Sequence, residues 1–174
     1  MIAVASAAVR DRLAAGISAQ MMAGRMKPDL PYDGRYQGLH RERQIAAAEA
    51  LYATLGIARE DKAGRQAQFM ENYAFFGAPH VAFFFLPAGC GAREAADLGM
   101  CAQSFMLALA SMGYGSCPQT SLSFHPDLVR AEFDLAPESQ LLFGVSFGRI
   151  DTTAAVNRVR VPRDLARCTQ IRED

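Results

Sequence analysis

The chain has 174 residues, 51% of them hydrophobic and 21% charged, which suits one globular domain with a core of its own. Its 18 Lys and Arg balance 18 Asp and Glu, so it lacks the basic excess that draws a protein to nucleic acid or an anionic membrane. Cys90, Cys101, Cys117 and Cys168, with His40, His80 and His125, show neither CxxC nor HExxH spacing; no structural metal, no bilayer span, and reduced thiols in the cytoplasm are expected.

Ile2 to Ala5 reads as a short strand, and Ser6 as the N-cap of a helix reaching about Met22. Val9, Leu13, Ile17 and Met21 recur every four residues and give that helix one apolar face. Two prolines and Gly34 make 27–34 a loop. A second helix is expected over His40–Leu55, closed by Gly56, and a third, amphipathic one from Arg59 to about Asn72. His80–Leu86 is a continuous apolar run between Pro79 and Pro87, the pattern of a strand buried on both faces. A long helix follows over Arg93–Met112. It is apolar on most sides and so is expected at the centre of a subunit or of a dimer interface. Gly113–Pro118 reads as a loop, Pro126–Phe133 as a short helix opened by its proline, and Gln140–Phe147 as another strand. The tail after Gly148 is polar and Arg-rich without a clear period. No repeat or linker interrupts 1–174, and the order of elements predicts a single α+β or α/β domain.

Generic catalytic signatures (GxSxG, a P-loop, GxGxxG) are absent. Glu71 and His80 read as isolated structural residues, and Cys117 as a small buried cysteine. Five segments taken together say more. Asn72-Tyr-Ala-Phe-Phe-Gly-Ala-Pro-His80 precedes the apolar strand. Asp97-Leu-Gly-Met-Cys-Ala-Gln103 lies in the long helix, and Gly113-Tyr-Gly-Ser-Cys-Pro-Gln119 follows it. Leu142–Gly148 forms a late glycine-bearing strand, and Asn157–Arg163 a basic segment. In order and spacing, over about residues 35 to 165, these resemble the FMN-dependent nitroreductases.

That resemblance implies a nitroreductase-like α+β fold with a mixed sheet, flanking helices and a homodimer, its cofactor lying between the subunits. It implies FMN as cofactor, NAD(P)H as electron donor, and nitroaromatics or quinones as acceptors. A flavin carries the difficult redox chemistry itself, so the lack of an acid–base constellation does not argue against an enzyme. The turn Pro118, Gln119 and Thr120 is expected to meet the flavin N5 edge with backbone N–H groups. Arg160 and Arg163 are expected to hold the FMN phosphate, for which a planar guanidinium fork is suited. Phe75, Phe76 and Phe124 are candidates for an apolar acceptor pocket, with core packing the better role for Phe75 and Phe76.

The family's Arg-rich opening motif and its Gln-Pro-Trp motif have no counterpart here, and the chain holds no tryptophan. A chain lacking the N-terminal FMN-binding segment is therefore expected, with weak flavin binding and slow turnover. Two rival readings stand beside the enzyme. One is a non-catalytic remnant or interaction module that binds flavin weakly or not at all; the other is a flavoprotein of the same fold with different chemistry.

Overall fold

The computed structural model describes residues 1–31, 35–162 and 169–172. Contacts gather the chain into two compact units, Met1–Asp33 with Gln66–Ile150, and Gly34–Arg65 with Asp151–Asp174.

The first unit is built on a four-stranded sheet of β1 (Ile2–Ser6), β2 (His80–Leu86), β3 (Tyr114–Gln119) and β4 (Gln140–Arg149), in the order β1-β2-β4-β3. The sheet expected as mixed pairs antiparallel at all three junctions among the described residues. β2 is central, and its alternation explains why it is apolar throughout. Val81, Phe83 and Phe85 point to one face, where they pack with Leu13 and Ile17 of α1 (Ala7–Met22), Val129 of α5 (Pro126–Glu132), and Tyr73, Phe75 and Leu122. Ala82 and Phe84 point to the other face, toward Ala102, Leu98, Phe105 and Met106 of α4 (Ala92–Ser111). Two layers thus meet on one strand, and a period-two pattern with both phases apolar is its signature. Gly144 of β4 makes room for this core, since a Cβ there would lie 2.6 Å from Leu122 Cδ1.

Several expectations shift in detail. Ser6 occupies the N-cap position of α1 in extended geometry, but its side chain makes no capping hydrogen bond. α4 buries only Ala102 and Leu109 completely, while Met100 and Leu107 remain 63% and 61% exposed. It is therefore a one-sided cover on the sheet rather than a helix enclosed within this unit. Gly113–Pro118, read as a loop, is mostly β3. Glycine and proline are poor strand residues, but among the described residues β3 pairs only with β4, and an edge strand tolerates a residue without an N–H.

In the second unit α2 (Gly38–Leu55) ends at Gly56, whose φ of 68° is the left-handed cap that glycine adopts without a Cβ clash. α2 packs with the short helical turn Ala155–Arg158. α3 (Lys62–Met70) is shorter at both ends than its amphipathic pattern suggests. Among the described residues no helix is long and apolar enough to cross a membrane, and no cluster of His, Cys, Asp and Glu is set to hold a metal.

Candidate functional site

Gly113, at φ 79°, reverses the chain at the end of α4 and sends β3 along the sheet edge. β3 pairs from Tyr114 opposite Arg149 to Gln119 opposite Gly144. No further strand lies beyond β3 among the described residues, so one side of this edge offers backbone N–H and C=O groups to a ligand. Ser116, Cys117, Pro118 and Thr120 are exposed along it, and Gln119 between them is buried. Pro118 has no N–H and can offer only its ring and carbonyl. The N–H groups of this turn therefore belong to Gln119 and Thr120.

The Gln119 side chain fixes the turn from beneath. Its Nε2 donates to the Asn72 carbonyl at 2.9 Å and to Asn72 Oδ1 at 3.3 Å. Its Oε1 accepts from the buried Ser146 hydroxyl. Ser121 Oγ donates to Asn72 Oδ1 at 3.2 Å, and Asn72 Nδ2 donates to the Phe69 carbonyl at 2.9 Å. Five residues from three separate stretches are thus joined, and the buried amide is satisfied at both ends. Asn72 and Ser146 were not singled out from the sequence as positioning residues. Asn72 does open one of the segments quoted above, so its position carried a signal; Ser146, one serine in an apolar strand, carried none.

The Phe75-Phe76 pair follows Asn72 closely. Both residues hold positive φ, 56° and 52°, which non-glycine residues rarely adopt. Phe75 is fully buried, as expected, whereas Phe76 is 41% exposed and not a core residue. Arg10 of α1 spans the strained segment, with Nε donating to the Ala78 carbonyl at 3.0 Å and Nη2 to the Ala74 carbonyl at 2.6 Å. Phe124 is buried beside the turn that follows β3.

Titratable groups nearby do not form an acid–base pair. Cys117 is exposed as a residue rather than buried, yet desolvation around its sulfur pushes the thiol pKa up and disfavours a thiolate at neutral pH. His125 is buried, and desolvation pushes its pKa down, toward the neutral imidazole. His80 lies against the Phe147 ring at 5.2 Å between centroids, a packing role.

Arg160 belongs to the second unit. It is exposed, and its Nη1 donates to the carbonyls of Asn157 and Val159 at 2.8 and 2.9 Å. Arg163 lies outside the described residues. Each unit, taken by itself, offers groups of the right kind for part of a flavin: the open strand edge of the first has backbone and hydroxyl donors for the polar rim of a ring, and the second has an exposed guanidinium of the kind that binds phosphate.

Comparison with known proteins agrees with this chemistry. The family model described as "Nitroreductase family" matches residues 1–149. Over 163 residues the chain is 46% identical to nitroreductase NfnB of Mycolicibacterium smegmatis, covering 93% of this chain and 69% of that protein. It is 33% identical over 127 residues to a 4-nitrobenzoate reductase of Pseudomonas putida, covering 73% and 56%. The crystal structure of the FMN-dependent nitroreductase NfnB from Mycobacterium smegmatis in complex with NADPH matches with a TM-score of 0.94 and 44% identity, over 99% of this chain and 78% of that one. These matches overturn the expectation of a missing N-terminal FMN-binding segment. The family model matches residues 1–149, and 99% of the chain follows the backbone of an FMN-dependent enzyme, over 78% of that enzyme's length. That expectation rested on two short side-chain motifs and the lack of tryptophan, which say less than the course of the backbone.

Proposed function

The chain belongs to the nitroreductase family, and from that premise we propose that it is an FMN-dependent oxidoreductase passing electrons from NAD(P)H to nitroaromatic or quinone-type acceptors. The observation that carries this reading is the joint between Gln119 and Asn72, which fixes an open strand edge just where the family resemblance puts the flavin contact. When bound, FMN would supply the redox chemistry between NAD(P)H and the acceptor. The protein's part is to bind, orient and shield. The Gln119 and Thr120 N–H groups stabilise negative charge at the ring edge, and the hydrogen bonds beneath Gln119 keep them in place. Arg160 and Arg163 hold the phosphate. Phe76, exposed on a strained turn, offers an aromatic face to an apolar acceptor.

The active form is a homodimer that closes over α4, whose exposed Met100 and Leu107 lie seven residues apart on one helical stripe. The test is the visible spectrum of the purified protein together with NADPH-dependent reduction of a nitroaromatic. A stoichiometric flavin band and turnover support the enzyme; a colourless, folded, inactive protein after incubation with FMN overturns it.

A further inference from the structure

Backbone strain in the first unit gathers around one side chain. Four non-glycine residues among those described hold positive φ: Ala7, Phe75, Phe76 and Asp134. Ala7 stands one turn before Arg10 on α1, and Phe75 and Phe76 lie between the Ala74 and Ala78 carbonyls that the Arg10 fork holds. The third guanidinium nitrogen, Nη1, donates to Asp11 Oδ1 at 2.8 Å, so all three nitrogens of Arg10 are engaged.

The same turn is fastened to the open edge of β3. The Asn72 carbonyl accepts from Gln119 Nε2 at 2.9 Å and from the Phe75 N–H at 3.2 Å, and the Glu71 carbonyl accepts from the Phe76 N–H at 2.9 Å. One carbonyl therefore serves both the strand edge and the strained pair. Phe75 enters the core, while Phe76 stays exposed. Packing alone does not account for a phenylalanine at this point. Glycine takes a φ of 52° freely, and the chain places glycine at the very next position, Gly77, yet not here. Strain that burial does not offset is a feature of binding positions. A ring carried on so constrained a backbone presents its face at a fixed angle, which suits a flat aromatic ligand.

We infer that Arg10 is a positioning residue for the acceptor: by holding the Ala74 and Ala78 carbonyls it fixes Phe76 as the wall against which an aromatic acceptor rests, and so selects aromatic over non-aromatic nitro compounds. The inference rests on the proposed reading of Phe76 as an acceptor contact. It adds the residue that sets the wall and the class of acceptor that the wall prefers.

The experiment compares nitrobenzene with nitrocyclohexane, which share the nitro group and the carbon count but not the flat ring. Dissociation constants are measured by ligand-observed NMR on the purified protein incubated with FMN, without NADPH. The parent should bind nitrobenzene about three- to tenfold tighter than nitrocyclohexane, the range of an aromatic pair. Phe76→Leu should abolish that preference. Arg10→Lys keeps the charge but not the planar fork, and should reduce the preference as well. The double variant should lose no more than Phe76→Leu alone, because Arg10 acts through that ring. In turnover with NADPH, Arg10→Lys should raise KM for nitrobenzene by the factor lost in binding and leave kcat nearly unchanged. No preference in the parent, a preference undiminished in Arg10→Lys, or additive losses in the double variant would overturn the inference. Turnover of a nitroaromatic without the preference would sink the inference and leave the enzymatic reading standing. The preference without turnover would do the reverse.

Discussion

The guanidinium carbon of Arg10 lies 5.4 Å from the ring centroid of Phe75, on a turn where two consecutive phenylalanines hold positive φ. The same side chain donates to carbonyls on either side of that turn, at Ala74 and Ala78. Left-handed geometry costs a non-glycine residue about 1–2 kcal/mol, so the turn is held by its surroundings rather than by its own preference. Phe75 repays part of this by complete burial, but Phe76 does not, being 41% exposed.

A direct consequence concerns Phe76. Glycine adopts its φ freely, and that gain offsets the part of the ring that is buried. Phe76→Gly should leave the melting temperature unchanged or raise it, while kcat/KM for a nitroaromatic falls because an aromatic face is gone. Loss of stability with unaltered kinetics would show that Phe76 serves packing alone. By contrast, Arg10→Ala should destabilise by about 1.5–3 kcal/mol in urea titration, through loss of charge-assisted hydrogen bonds.

The Gln119 network predicts a coupled effect. Gln119→Leu keeps the volume roughly constant but leaves the buried Ser146 hydroxyl without its acceptor, while Asn72 keeps Ser121 at Oδ1 and the Phe75 N–H at its carbonyl. An orphaned buried group costs about 1–3 kcal/mol. The turn at Thr120 should loosen as well, so FMN should dissociate faster than from the parent protein, measured by recovery of flavin fluorescence on dilution. Reduced stability with the same flavin release rate would confine Gln119 to folding.

Much of this arrangement was readable in the sequence, and the exceptions have physical causes. β2 could be placed to the residue because both of its phases are apolar and prolines bracket it. α1 followed from its four-residue spacing, and α5 from Pro126. β3 was hidden because Gly115 and Pro118 mimic a loop; only pairing with β4, formed far along the chain, makes the segment a strand. Gln119 was named for its backbone, but its buried side chain could not be anticipated, since Asn72 lies 47 residues away.

Exposure on α4 predicts how subunits associate. Met100 and Leu107 are 63% and 61% exposed on a helix whose other face covers the sheet. Met100→Asp with Leu107→Asp should convert the proposed dimer to monomers at micromolar concentration, because a charge in an apolar interface is desolvated without a partner. Light scattering decides it. A variant that remains dimeric would place the subunit contact elsewhere.

Acid should weaken the fold in two separable steps. His125 is buried beside the Tyr73 ring edge, 6.1 Å between centroids, and desolvation lowers its pKa from 6.5. The unfolded chain then takes up a proton near pH 6.5 that the folded chain refuses until lower pH, so the unfolded state binds more protons in that interval. Stability is therefore full above the unfolded pKa, declines as pH falls below it, and levels off below the folded pKa. Glu132, whose pKa is lowered chiefly by its hydrogen bond with Arg12, acts the same way but in a lower window, beginning near its ordinary value of 4.5. Melting temperatures across this range should show the upper step in the parent protein and in Glu132→Gln. His125→Phe should lose the upper step and keep the lower one. The same upper step in His125→Phe and in the parent would mean that another group takes up the proton.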